Sequence, residues 1–202
     1  MNKVFAYAVA LLVIVGLTIA ALVFTGVLSG PGQKSRSGII AGAPQIGGPF
    51  ELVNHKGETV TDKDFQGKMM LVFFGYTFCP DVCPTEMQTF VQTLDLLGED
   101  ADQVTPVFIT VDPERDSVDV VREFVAAFHP AIVGLTGTPE QITQVKKQYR
   151  AYGQKANSED KEYYLVDHTS FTYLMGRDGS LSTVFSYGTT AEEMAKVIRE
   201  QL

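Results

Sequence analysis

The sequence predicts an α/β domain behind an N-terminal membrane anchor. Three observations carry that reading: an uncharged run of 25 residues from Val4 to Leu28, two apolar strand-like segments around Met70–Phe74 and Val104–Val111, and stretches of helical apolar spacing between and after them. With 202 residues, 45% of them hydrophobic, the chain has room for one ordinary globular domain beyond its N-terminal segment.

At a helical rise of about 1.5 Å per residue, the Val4–Leu28 run exceeds a hydrocarbon core of about 30 Å. The competing reading is a cleaved signal peptide, with a shorter apolar core and a small-x-small site at its end. Thr25-Gly26-Val27-Leu28 offers no clear site, which favours an uncleaved anchor over residues 1–28, and no cysteine lies nearby to carry a lipid. Lys3 on one side and Lys34 with Arg36 on the other leave the flanking charge nearly balanced, so charge does not set the orientation. Residues 29–48 read as a flexible linker. Seven of the 18 glycines fall between Gly26 and Gly48, with Pro31, Pro44 and several serines, a composition that cannot bury a core.

The head, residues 49–202, opens on a hairpin, Phe50–Val53 and Glu58–Val60 around Asn54-His55-Lys56-Gly57. Met70–Phe74 follows as a buried strand. From Pro84, the residues Met87, Phe90, Val91, Leu94 and Leu97 recur at helical spacing, and Val104–Val111 returns as a strand. Asp116 and Asp119 mark the start of a second helix bearing Val118, Val121, Val125 and Phe128, which His129-Pro130 ends; a third helix carries Ile142, Val145 and Tyr149. After a polar stretch around Asn157–Glu162, strands Phe171–Met175 and Leu181–Tyr187 flank the turn Gly176-Arg177-Asp178-Gly179, and a last helix covers Ala191–Leu202. This order is that of a thioredoxin-like fold with an N-terminal β-hairpin extension and an insertion before the late β-hairpin.

All 24 acidic residues lie after position 48, against 13 of the 16 basic ones. So acidic a head, without a basic cluster, is a poor partner for nucleic acid or anionic lipid; its field favours cations and basic protein surfaces.

The chain's two cysteines sit in Cys79-Pro80-Asp81-Val82-Cys83-Pro84, at the turn between the first core strand and its helix, where open α/β sheets form a crevice. A helix N-terminus lowers thiol pKa values, which serves nucleophiles and metal ligands alike. Residues i and i+4 on one helix face would let both sulfurs converge on one ion. Soft thiolates suit copper(I), whereas a structural zinc site would want a fuller set of Cys and His ligands than this chain shows. Of the histidines, His55 belongs to the first hairpin and His129 precedes a proline at a helix end. His168 lies just before a sheet strand, where the fold could bring it over the cysteine turn with Asp167 orienting it; an ordinary polar role is the alternative. Met87, four residues beyond Cys83, reads as a core residue before a copper-softening thioether, and Asp112 as a turn former before a neighbour of the cysteine turn. Asp81 is either a solvated helix-start carboxylate or a group supporting the thiols or a docked partner.

Phe74-Gly75-Tyr76-Thr77-Phe78-Cys79-Pro80-Asp81-Val82-Cys83-Pro84-Thr85-Glu86 resembles the signature of the Sco/SenC family, copper proteins of cytochrome c oxidase assembly. So do Val111-Asp112-Pro113-Glu114-Arg115-Asp116, Val166-Asp167-His168-Thr169 and the segments Asp62–Lys68 and Gly176–Gly179. Met87 in place of leucine and Arg177 in place of a frequent proline depart from the pattern without touching a ligand. The resemblance implies a thioredoxin-like fold and one copper ion per chain held by Cys79, Cys83 and His168. It also implies delivery to the binuclear copper site of cytochrome c oxidase subunit II, with other copper chaperones or thiol reductants as further partners. The head would face the periplasm from a single-pass inner-membrane anchor, or the intermembrane space in a mitochondrion.

Two functions remain open on the residues themselves. A metallochaperone binds and transfers copper without substrate turnover. A thiol-disulfide oxidoreductase would use Cys79 and Cys83 as a redox-active pair, one attacking a partner disulfide and the other resolving it. Three residues between the cysteines, and the likeness of the His168 segment to that of the family, favour copper, and a peroxidase ranks below both because it gives His168 no clear task.

Overall fold

In the computed structural model the described residues are 45–156 and 163–202. The Val4–Leu28 run, most of the 29–48 linker and the Asn157–Glu162 stretch lie outside them. No helix among the described residues is long and apolar enough to cross a membrane.

The first hairpin is β1 (Glu51–Asn54) and β2 (Thr59–Thr61). Its turn is held by Asn54, whose Oδ1 accepts from the amides of Lys56 at 2.9 Å and Glu58 at 3.0 Å. In chain order there follow β3 (Met69–Gly75), α1 (Val82–Leu97), β4 (Val104–Thr110), α2 (Val118–Ala126), β5 (Val133–Thr136) and α3 (Pro139–Tyr149). Next come β6 (Gly153–Lys155), β7 (Val166–His168), β8 (Thr172–Met175), β9 (Leu181–Phe185) and α4 (Ala191–Arg199).

The described strands form a seven-stranded sheet, ordered β2-β1-β5-β4-β3-β8-β9, and a separate two-stranded ribbon of β6 and β7. β3, β4 and β5 are parallel, as helical crossovers require; the remaining ladders are antiparallel. All seven residues of β3 are buried, which is why its sequence is an unbroken apolar run rather than an alternating one. Phe73, Phe74, Phe90 and Phe108 have no exposed surface, and burial of each such ring contributes about 1.5–3 kcal/mol. α1 packs against α4, α2 against β5 and α3 against β1.

The thioredoxin-like order and the N-terminal hairpin are present, with β1 joined to the main sheet through β5. Several boundaries differ from expectation. β5 was not foreseen as a strand: it has four residues, and its Gly134 lies so close to α2 that an added Cβ would stand 2.4 Å from Val121 Cγ1. The cap of α2 is Ser117, whose hydroxyl accepts from the Val120 amide; Asp116 turns inward instead. α2 ends at Ala126, before His129-Pro130, and α4 at Arg199. The insertion before the late hairpin contains the β6–β7 ribbon.

Candidate metal centre

Parallel pairing sets Gly75 beside Thr110, and antiparallel pairing sets Phe73 beside Thr172. β3 and β4 therefore end, and β8 begins, at one edge of the sheet. Three segments meet there: the Tyr76–Asp81 turn into α1, the Val111–Ser117 turn out of β4, and the His168–Phe171 entry into β8.

Cys79 precedes α1, and Cys83 is the second residue of the helix. The sulfurs thus do not share one helix face, as an i, i+4 reading supposed; the chain folds over the helix N-terminus, and the Cys83 amide donates to Cys79 Sγ at 3.5 Å. Both thiols are free, Cys83 fully buried and Cys79 partly so. Room for Cys83 comes from Gly75, where a Cβ would stand 2.8 Å from Cys83 Sγ and 2.8 Å from Phe73 Cε1. A hydrogen bond from Cys83 holds Cys79 down to about 3, outweighing burial, with further help from His168 and the amides of Asp81 and Cys83. The same bond, with burial, pushes the Cys83 thiol far up. Without metal, the pair is one thiolate and one thiol sharing a proton.

His168 ends β7, opposite Gly153 of β6. Gly153 lets the ribbon lie against the end of β4, since a Cβ there would be 2.7 Å from Val111 Cβ. His168 Nδ1 lies 2.9 Å from the Thr169 carbonyl oxygen, so this nitrogen carries the proton and donates. That turns Nε2 toward the thiols, 3.5 Å from Cys83 Sγ. The Thr169 carbonyl fills the orienting role suggested for Asp167, whose side chain is exposed. Phe73 and Tyr76 stand edge-on to the imidazole, with centroids at 5.9 and 5.6 Å. Burial works against charge on His168, but the hydrogen bond and charge of Cys79 outweigh it and raise its pKa.

The donor atoms of Cys79, Cys83 and His168 all lie within 4.8 Å of one another, the one such grouping of His, Cys, Asp and Glu among the described residues. Donors bonded to one ion at about 2.0–2.3 Å can lie at most about 4.6 Å apart, so this set needs only slight closure to hold a metal. The other histidines are engaged elsewhere: His55 Nδ1 accepts from the Gly134 amide and His129 Nδ1 from the Ala131 amide, each at 3.1 Å. Met87 has no exposed surface and belongs to the core. Asp81 is exposed at the cap of α1 and makes no side-chain cap bond.

Sequence reasoning missed the polar framework behind the cysteines. Asp112 does begin the turn before α2, its carbonyl accepting from the Arg115 and Asp116 amides, but its carboxylate is also buried and bonded. Arg115 Nε donates to Asp112 Oδ2 at 2.6 Å, and the Tyr164 hydroxyl to Asp112 Oδ1 at 2.8 Å. The guanidinium lies 3.6 Å over the Tyr164 ring and 5.0 Å from that of Phe78, bracing the cysteine turn against the approach to β7. The available signal was Asp112, two residues past the end of β4, with a basic residue, Arg115, three places further on.

The sequence profile of the family described as SCO1/SenC matches residues 40–202. The human mitochondrial SCO1 homolog is 42% identical over 159 residues, covering 78% of this chain and 53% of that protein. Protein SenC of Rhodobacter capsulatus is 49% identical over 140 residues, 69% of this chain and 63% of that one. The chain thus spans roughly half to two thirds of these relatives. Among solved structures, copper-bound ScoI of Bradyrhizobium japonicum superimposes with a TM-score of 0.73 at 44% identity, over 78% of this chain and 99% of that one. Copper-bound yeast Sco1 does so at 0.72 and 36%, over 78% and 88%. With four fifths of its length inside the family profile and its two cysteines and His168 gathered at one sheet edge, this chain belongs to the SCO1/SenC family.

Proposed function

We propose that this protein is a membrane-tethered metallochaperone that binds one copper ion through Cys79, Cys83 and His168 and passes it to the binuclear copper site of cytochrome c oxidase subunit II. The observation that carries the reading is the gathering of two thiols and an imidazole Nε2 within 4.8 Å. Two soft donors and one borderline donor form a set matched to copper, and the relatives solved with copper bound share the fold at 36–44% identity. In this reading copper is cargo: the thiolates and the neutral imidazole hold it, and the acceptor's ligands replace them stepwise. Residues 1–28 would tether the head to the inner membrane, residues 29–48 would let it reach its acceptor, and residues 49–202 would do the binding.

A second reading has its own observation. Cys79 held at about 3 beside a thiol pushed upward is the asymmetry of a nucleophile with its resolving partner. A thiol-disulfide exchange that prepares the acceptor's cysteines would use the same pair.

The deciding experiment loads the reduced full-length protein with copper and compares its copper content and absorption spectrum with those of His168→Ala. We expect one copper per chain in the wild type, with thiolate charge-transfer bands altered and affinity weakened in the variant, while reduction of insulin disulfides is kept. No retained copper alongside ready insulin reduction would replace the metallochaperone with the oxidoreductase.

A further inference from the structure

Of the three proposed ligands, Cys83 stands on α1 and His168 on β7, but Cys79 lies on neither helix nor strand. Its position depends on what fixes the Tyr76–Asp81 turn. The turn's own bond, from the Cys79 amide to the Tyr76 carbonyl, is 3.2 Å long. The stronger hold comes from Asp116, 37 positions further along the chain and without exposed surface. The Thr77 amide donates to Asp116 Oδ2 at 3.0 Å and the Thr77 hydroxyl to Oδ1 at 2.6 Å. Both carboxylate oxygens are thus spent on the residue two places before Cys79. Asp116 is itself anchored from two strands: Thr110 Oγ1 of β4 donates to Oδ2 at 2.6 Å, and Thr136 Oγ1 of β5 to its backbone carbonyl at 2.7 Å. Burying a carboxylate is costly unless its oxygens are paired, and this one is paired with the cysteine turn.

We infer that Asp116 is a positioning residue of the metal site, a buried clamp that fixes Cys79 against the ends of β4 and β5 by gripping Thr77. The inference rests on the three-ligand reading for its copper consequences, and on geometry alone for its consequences for the thiol pair. Asp116 touches no ligand atom; it sets where one of them sits.

Two variants separate positioning from simple stabilisation in the full-length protein. Thr77→Val removes the shorter bond to the turn. Thr93→Val, in the middle of α1 and outside the clamp, removes another buried hydroxyl's bond, the one donated to the Thr89 carbonyl at 2.8 Å, and so serves as the stability control. Copper(I) affinity by competition, thermal midpoint, and the rate of Cys79–Cys83 disulfide closure by diamide in copper-free protein are measured for both, with Thr77→Ser as rescue. One charge-assisted hydrogen bond is worth a factor of about ten, so Thr77→Val should weaken copper about tenfold and slow disulfide closure similarly. Thr77→Ser should restore both, and Thr93→Val should leave both near wild type whatever its fall in midpoint. Losses that follow the midpoint in both valine variants, or wild-type affinity and closure in Thr77→Val, would overturn the clamp. Copper binding absent from the wild type would sink the metallochaperone instead, and the disulfide rates would still decide the clamp.

Discussion

Cys83 rises from the first turn of α1 against a strand whose seven residues are all buried, whereas His168 ends a three-residue strand whose ladder partner is the equally short β6. On the cysteine side, the position of a sulfur is settled by the core: Gly75, Phe73 and Phe108 leave a space that fits Cys83 and little more. On the histidine side, position is settled by a few polar contacts, the Thr169 carbonyl and two ring edges, laid on the outside of that core. A single site can therefore be rigid on one flank and adjustable on the other. Insult to the first flank should register as stability, and insult to the second as affinity.

The largest effect expected is from Cys83→Ser, which should abolish stoichiometric copper binding, because a hydroxyl replaces the buried soft donor. Metal analysis after gel filtration would show it, and one copper per chain in the variant would break the comparison at its root. Gly75→Ala should come next, costing about 1–3 kcal/mol in a denaturant titration, because its methyl would overlap Cys83 Sγ, Phe73 and Phe108 at once. An unchanged midpoint would mean that the cysteine flank yields as easily as the other. Gly153→Ala tests that other flank: displacement of the ribbon from Val111 should cost under about 1 kcal/mol but weaken copper about tenfold, within the range for disturbed support of a ligand. A stability loss matching that of Gly75→Ala would erase the distinction.

The smallest effect is an absence of change. Cys79, at about 3 rather than the ordinary 9, is a thiolate at every pH above about 4, so its alkylation by iodoacetamide in copper-free protein should stay flat between pH 5 and 8. An ordinary thiol would speed up nearly tenfold per pH unit over that range. Cys83, buried and pushed upward, should remain unmodified throughout. A rate rising with pH, read by mass spectrometry, would mean that the pair does not share its proton as drawn.

The same division decided what could be read from the sequence. The cysteine flank was legible because its information is local: an apolar run, then two thiols at a strand-to-helix turn. The histidine flank was not. Gly153-Gln154-Lys155 and Val166-Asp167-His168 are too short and too polar to declare strands, and nothing near His168 in the chain reveals that Gly153 faces it. His168 stood out through family resemblance rather than through its own spacing. Asp116 was misread for a related reason. Its interval to Asp119 matches a helix start, yet Ser117 supplies the cap, and the partners that draw Asp116 inward, Thr77 and Thr110, lie 39 and 6 residues away. Local pattern found the elements; contacts across the sheet chose the roles.

Eighty-five residues separate Cys83 from the histidine that touches it. At a synthesis rate of about 5–20 residues per second, the second thiol leaves the ribosome roughly 4–17 seconds before the imidazole does. During that interval the chain carries a pair of cysteines with neither the ribbon nor β8 to cover them. A thiol oxidant meeting the nascent protein would find the pair at its least guarded, while a metal would find a site still lacking its third arm. The age of the molecule, and not only its sequence, therefore governs which chemistry reaches these sulfurs first.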